Sequence, residues 1–213
     1  MDVFAPMDGL ASMGADAMDM ELVNTVATLM HARQTILPKR LMPPGPEPEE
    51  LRLILEAAGS APDHGQLLPW RFVTVPEAAR PALARVFGEA LLERDPQATS
   101  EQILQAQEKA YRSPFLMLVV VDAMRGDPEI DLHERIVSAG CAVQNVLLMA
   151  TAWGYGSALT SGKALKSAVL RTLFSLDAGE HALCFLSMGS VQSSRKSRPR
   201  PVHDDFVSML SGG

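Results

Sequence analysis

The sequence has few of the residues that mark metal centres and disulfide frameworks. It contains two cysteines, Cys141 and Cys184, each in an apolar run and neither in a CxxC pattern. We therefore expect two small, buried thiols in a reducing compartment, and neither a disulfide framework nor a zinc site. The five histidines are scattered without the spacing of metal ligands, so the sequence predicts no metal.

Positive charge and long hydrophobic runs are also scarce. The chain has 19 Lys and Arg against 25 Asp and Glu, a net charge of -6, which argues against nucleic acid or an anionic membrane as partner. The longest apolar stretch, residues 136–153, is interrupted by Gln144 and Asn145, so we predict a buried core helix. No Lys or Arg precedes Met20, as a secretory signal would require. We expect a cytoplasmic protein.

Several nucleotide and hydrolase motifs are missing as well. There is no GxGxxG, no phosphate-binding loop lysine motif and no GxSxG elbow, which argues against a Rossmann enzyme, an NTPase and an α/β-hydrolase. What remains is a composition typical of globular proteins, with 47% hydrophobic and 21% charged residues. We predict a flexible N-terminal tail over residues 1–18 and one domain over residues 19–213.

The hydrophobic patterns predict an α+β fold. Helical spacing occupies most of the chain, and the continuous apolar run of residues 115–122 is the clearest strand, buried on both faces. The elements do not alternate strictly, which favours one sheet of four or five strands wrapped by helices. The other predicted strands are residues 71–75, 156–160 and 182–188, with a final short strand at 205–210.

Two basic segments are candidates for binding phosphate. Arg33-Gln34-Thr35 follows the first predicted helix, and it is either a solvated helix end or an anion site in which a guanidinium and a hydroxyl bind phosphate. The C-terminal cations are either a solvated tail or a second contribution to the same phosphate. They are Arg195, Lys196, Arg198 and Arg200.

Two further loops are candidates for contact with a ligand. Asp63-His64 is either an acid/base pair or a turn in which Asp63 bonds backbone amides, with His64 free to contact a ligand; we favour the second interpretation. The glycine-rich residues 153–162 either stop a helix or let the backbone approach a ligand closely.

Taken together, three segments resemble the nitroreductase family of flavin enzymes, and a small bacterial branch of it in particular. The resemblance covers about residues 20–210, with the motifs in the family's order. Its motifs are Arg33-Gln34-Thr35, then Ala61-Pro62-Asp63-His64 with Pro69-Trp70-Arg71-Phe72, then Ser138 to Val143 followed by Gly154, Gly156 and Leu159-Thr160-Ser161-Gly162.

The resemblance implies a nitroreductase-like fold with a mixed central sheet, and an intertwined homodimer with FMN at the subunit interface. The implied activity is hydride transfer from NADH or NADPH, through FMN, to nitroaromatic, quinone or similar acceptors. Because the cofactor carries this chemistry, we assign no catalytic residue. The implied cofactor-binding residues are Arg33, Gln34 and Thr35 at the phosphate and ribityl, Ser60 and His64 from the partner chain, Leu159, Thr160 and Ser161 beside the flavin, and Arg198 or Arg200 at the phosphate.

The chain departs from its family at three of these places. Relatives have arginine, glutamine or tryptophan where this chain has Ser60, Leu68 and Leu159. Two alternatives therefore stay open beside the reductase. One is a flavin-binding family member with a dedicated biosynthetic oxidation role, and the other is a flavin-free binding module on the same fold.

Overall fold

The sheet is built around the strand that the sequence predicted most clearly. Strand β2, Phe115–Asp122, is buried along its six central residues and lies inside a four-stranded sheet of order β1-β2-β4-β3. All three strand pairings are antiparallel, so the mixed sheet that we expected is wrong. Parallel pairing in the described chain is confined to one isolated bridge, between Thr35 and Ser157.

The computed structural model describes residues 20–192 and 199–212, so the predicted tail over residues 1–18 lies outside the described residues. Short 3-10 turns connect many of the regular elements. The helices are α1 (Met20–Ala32), α2 (Pro48–Glu56), α3 (Arg80–Arg94), α4 (Ser100–Gln107), α5 (Leu132–Ala152) and α6 (Ala168–Leu173), and the remaining strands are β1 (Trp70–Thr74), β3 (Gly156–Thr160) and β4 (Glu180–Gly189).

The sheet separates two hydrophobic clusters, because successive strand side chains point to opposite faces. Met117 and Val119 of β2 pack with α5 and α2, whereas Leu118 and Val120 pack with α3 and α6. Helix α5 is long and apolar enough to cross a membrane by composition, but five of its eight buried residues belong to the first cluster. The predicted core helix is therefore confirmed.

Two predicted elements differ in the structure. Residues 205–210 do not form a strand: His203–Asp205 is a 3-10 turn and residues 207–212 have no regular structure. Phe206 and Val207 are exposed there, so the apolar pattern that suggested a strand has no sheet beside it within the described chain. The helical spacing of apolar residues from Leu165 to Leu173 also predicts one helix over residues 163–174. In the structure this segment is broken at Ser167, whose Oγ caps α6 by accepting from the amide of Leu170 at 3.3 Å.

A buried arginine organises the loop between β2 and α5. Arg135 is 1% exposed, and its guanidinium donates to the backbone carbonyls of four residues of that loop at 2.5 to 3.3 Å. These acceptors would otherwise be poorly satisfied, and a buried charge is tolerated only when it is fully hydrogen-bonded. Arg135 therefore fixes the start of α5. The four acceptors are Asp122, Arg125, Asp127 and Ile130.

We expect Arg135→Met to lower the free energy of unfolding by about 2–4 kcal/mol, because it removes a buried donor from four carbonyls. Urea unfolding followed by circular dichroism measures the change. The control is Arg85→Met on α3, where the side chain is 69% exposed and pairs with Glu89 at 3.5 Å. Equal unfolding midpoints for the two variants would contradict a structural role for Arg135.

Candidate functional site

A cavity with a volume of about 670 Å³ opens at the end of β3, a size that suits a small-molecule ligand. Its floor is apolar and includes Phe87, Leu116 and Phe185. Two loops, residues 37–39 and residues 160–164, line the cavity together with the C-terminal end of α3, with α4 and with the turn after α4. The cavity is therefore enclosed by segments that are far apart in sequence.

A backbone hydrogen bond ties the end of α1 to this cavity. The helix ends where the amide of Arg33 donates to the carbonyl of Leu29 at 3.0 Å, and the amide of Ile36 then donates to the carbonyl of Ser157 at 2.9 Å. This contact aligns the chain after α1 with β3 as the isolated parallel bridge. The predicted phosphate-binding segment thus lies immediately before the residues that line the cavity.

Two predicted site residues, Arg33 and Arg200, lie side by side. One guanidinium nitrogen of Arg200 donates to the carbonyl of Arg33 at 2.7 Å and to that of His31 at 3.3 Å. Partial burial, and then the positive charge of Arg200, lower the pKa of the Arg33 guanidinium. Two cations held together favour an anion between them. Gln34 is half-buried and Thr35 exposed in this segment, while Arg198 lies outside the described residues.

The end of β3 presents its predicted residues to different sides. Thr160 and Ser161 line the cavity, whereas Leu159 is not among the lining residues and is 45% exposed, as the alternation of side chains along a strand requires. The hydroxyl of Ser157 is buried, and it has no hydrogen-bond partner among residues 20–192 and 199–212. A buried hydroxyl of this kind usually has a partner.

The Asp63-His64 loop has the turn chemistry that the sequence favoured. The Asp63 carboxylate accepts from the amide of Leu68 at 2.6 Å. Gly65, Gln66 and Leu68 all have positive φ angles, of 69°, 52° and 47°, and such backbone persists only where the surroundings hold it firmly. One such anchor is the indole of Trp70, which donates to the Ser138 hydroxyl on α5 at 3.1 Å.

Ser60 and His64 are not among the residues that line the cavity of their own chain. His64 Nδ1 lies 2.8 Å from a carboxylate oxygen of Glu134, on the first turn of α5, and both Ser60 and His64 are exposed. The structure therefore places Arg200 beside Arg33 and both Thr160 and Ser161 at the cavity, and it leaves Ser60 and His64 out of the cavity lining. Their roles in binding a cofactor stay predictions.

Sequence reasoning missed one wall of the cavity. We define the α3–α4 wall as three cations that line the cavity from the end of α3 and from the turn after α4: Arg94, Lys109 and Arg112. These three cations belong to no motif and share no spacing, so only the packing of α3 on α4 reveals them. In the described chain no group of three His, Cys, Asp or Glu side chains could hold a metal ion.

The sequence is similar to a known family along most of its length. The Nitroreductase family matches residues 31–190. A protein of Haemophilus influenzae named "Putative NAD(P)H nitroreductase" is 30% identical over 173 residues, which is 81% of this chain and 93% of the relative. The Escherichia coli protein "Putative NAD(P)H nitroreductase YdjA" is also 30% identical, over 72% of this chain and 82% of the relative.

Solved structures share the fold at low identity. A nitroreductase-like family protein from Bacillus cereus superposes with a TM-score of 0.75 at 16% identity, covering 88% of this chain and 96% of that one. A nitroreductase with bound FMN from Bacteroides fragilis superposes with a TM-score of 0.65 at 16% identity, covering 87% of this chain and 98% of that one. At these identities the superpositions establish the architecture.

Proposed function

Because this chain belongs to the nitroreductase family and is an FMN-dependent oxidoreductase, we propose that it transfers hydride from NADH or NADPH to a small oxidised acceptor such as a nitroaromatic compound or a quinone. The observation that carries the proposal is the convergence of two segments on one cavity. Residues 37–39, which follow Arg33-Gln34-Thr35 after Ile36, and residues 160–161 line the same cavity. The family resemblance assigns residues 33–35 and 160–161 to the flavin.

The residues at the end of α1 fit the phosphate of FMN. Arg33 and Arg200 place two guanidinium groups together, and the positive charge of Arg200 contributes to the lowered pKa of Arg33. A phosphate would relieve this repulsion and accept hydrogen bonds from both guanidinium groups, with the Thr35 hydroxyl as a further donor. The strand end at Leu159, Thr160 and Ser161 then supplies backbone and hydroxyl groups beside the flavin.

When bound, FMN supplies the hydride exchange at its N5 position. The task of the protein is to hold the cofactor and the acceptor in contact, to exclude water, and to place donors where negative charge develops. The apolar floor of Phe87, Leu116 and Phe185 excludes water, while Thr160 and Ser161 offer donors at the cavity wall. Gln34 is suited to bonding the ribityl hydroxyls.

We propose a homodimer in which Ser60 and His64 of each chain reach the cofactor of the other. Helix α1 supports this because it has no buried residue, although its apolar side chains are numerous. Four of them, Met20, Val23, Val26 and Met30, are between 42% and 54% exposed. An amphipathic helix with an uncovered apolar face needs a partner surface. The neighbouring Val137 of α5, 65% exposed, extends this face.

The activity is tested on the purified protein without oxygen. We expect it to be yellow, to lose its flavin absorbance on addition of NADH or NADPH, and to regain it with nitrofurazone or a quinone. Stopped-flow absorbance measures both half-reactions. A flavin-loaded protein that neither nicotinamide bleaches would contradict the reductase, and a protein that binds no flavin would leave only a binding role on this fold.

The phosphate site is tested by comparing FMN with riboflavin, which lacks the phosphate. We expect Arg33→Ala and Arg200→Ala each to weaken FMN binding about tenfold or more, since each loses a hydrogen bond between charged groups, and to change riboflavin binding little. Fluorescence titration measures both affinities. The matched control is Arg40→Ala, an exposed cation on the neighbouring 3-10 turn that does not line the cavity. Equal losses for FMN and riboflavin would contradict a phosphate role.

The shared site is tested by mixing two defective chains. An Arg33→Ala chain and a His64→Ala chain should each retain little FMN alone. A mixed dimer should recover about half of the wild-type FMN content, because one site then receives Arg33 and His64 unaltered from different chains. Absorbance of affinity-purified mixed dimers measures the recovery. If both residues served the cavity of their own chain, no intact site would form and mixing would recover nothing.

A further inference from the structure

More cations than carboxylates line the cavity, and the proposed hydride transfer gives these cations no role. Five of its lining residues are cations and one, Asp95, is a carboxylate, although the whole chain carries 25 acidic against 19 basic residues. Within the described chain, none of the five forms an ion pair with a carboxylate. The five are Lys39, Arg94, Lys109, Arg112 and Lys163.

These cations divide into two groups. Lys39 and Lys163 belong to the two loops that the proposed function assigns to the flavin, so both can serve the cofactor. The α3–α4 wall belongs to separate elements of the chain and includes none of the residues assigned to the cofactor. Its charge is therefore free to act on whatever second molecule enters the cavity.

The apolar residues that line the cavity indicate the shape and polarity of that second molecule. The rings of Phe87 and Phe185 meet edge to face with centroids 5.6 Å apart, and Ala106 and Leu116 continue the apolar surface. A flat apolar body fits such a floor. A cavity with apolar walls and unpaired cations also focuses a positive potential, which raises the local concentration of anions.

We propose that the acceptor reduced in this cavity is an anion: an aromatic or quinone compound whose apolar body lies over the Phe87 and Phe185 floor and whose carboxylate or similar oxyanion group is bound by the α3–α4 wall. This inference rests on the proposed function and narrows its acceptor. The wall binds the charged group of the acceptor and leaves the hydride chemistry to the cofactor. Neutral acceptors of the same size then react more slowly, because they gain nothing from the three cations.

The test compares 4-nitrobenzoate with two neutral acceptors, methyl 4-nitrobenzoate and 4-nitrobenzyl alcohol. We expect a higher kcat/KM for the anion at low ionic strength, and a loss of that preference as salt is added. Lys109→Gln and Arg112→Gln should each reduce the ratio of anionic to neutral kcat/KM about threefold, and the double variant about tenfold, as expected for partly exposed charges. The control is Lys166→Gln, an exposed cation that does not line the cavity.

A binding measurement keeps the inference separate from the activity. Isothermal titration of 4-nitrobenzoate into the oxidised protein should give a dissociation constant that rises in the Lys109→Gln and Arg112→Gln variants and stays unchanged in Lys166→Gln. A flavin that neither NADH nor NADPH bleaches would refute the proposed function, whatever this titration gives. An active enzyme with no preference for the anion would overturn the inference alone. So would variants that raise only the KM for NADPH, since the wall would then serve the donor's phosphate.

Discussion

The candidate site depends on one backbone hydrogen bond, from the amide of Ile36 to the carbonyl of Ser157 at 2.9 Å. It aligns the chain after α1 with the start of β3, where Thr35 lies beside Ser157, and the parallel direction of the two segments carries residues 37–39 to the cavity that Thr160 and Ser161 also line. Helix α1 buries no residue within its own chain, so hydrophobic packing alone gives it little reason to stay in place. The position of the basic segment is therefore set by the sheet edge rather than by the helix.

A second constraint is the pair of like charges that this arrangement creates. Two cations near a protein surface repel each other by an amount on the order of a few kcal/mol at contact distance. The bond from Arg200 to the carbonyl of Arg33, at 2.7 Å, and the favourable position of a cation at the C-terminus of a helix offset part of this repulsion. The phosphate that we propose to bind here would relieve the remainder. Donors held in place before binding would also lower the entropic cost of ordering them.

Local patterns could be predicted from the sequence and non-local pairings could not. Residues 115–122 and 156–160 were predicted to the residue, the first because it is a continuous apolar run and the second because it is a short segment between glycine-rich turns. The turn role of Asp63 followed from its own side chain. The direction of strand pairing depends on which edges meet, so the expected mixed sheet was wrong. The apolar alternation near Phe206 implied a strand, but no neighbouring strand is present there in the described chain. Arg135 carried no signal, since its acceptors are backbone carbonyls.

The separation of Ser60 and His64 from the cavity of their own chain has a physical explanation. The loop of Ser60 and His64 is held firmly by the Asp63 carboxylate and by the hydrogen bond from Trp70 to Ser138 of α5. It is therefore unlike a flexible lid that could fold over the cavity of its own chain. A rigid, exposed polar loop can meet a ligand only if another surface brings the ligand to it. The uncovered apolar face of α1 provides the reason for a second chain to dock. In the proposed dimer, hydrophobic burial at α1 and completion of the cofactor site are thus the same event.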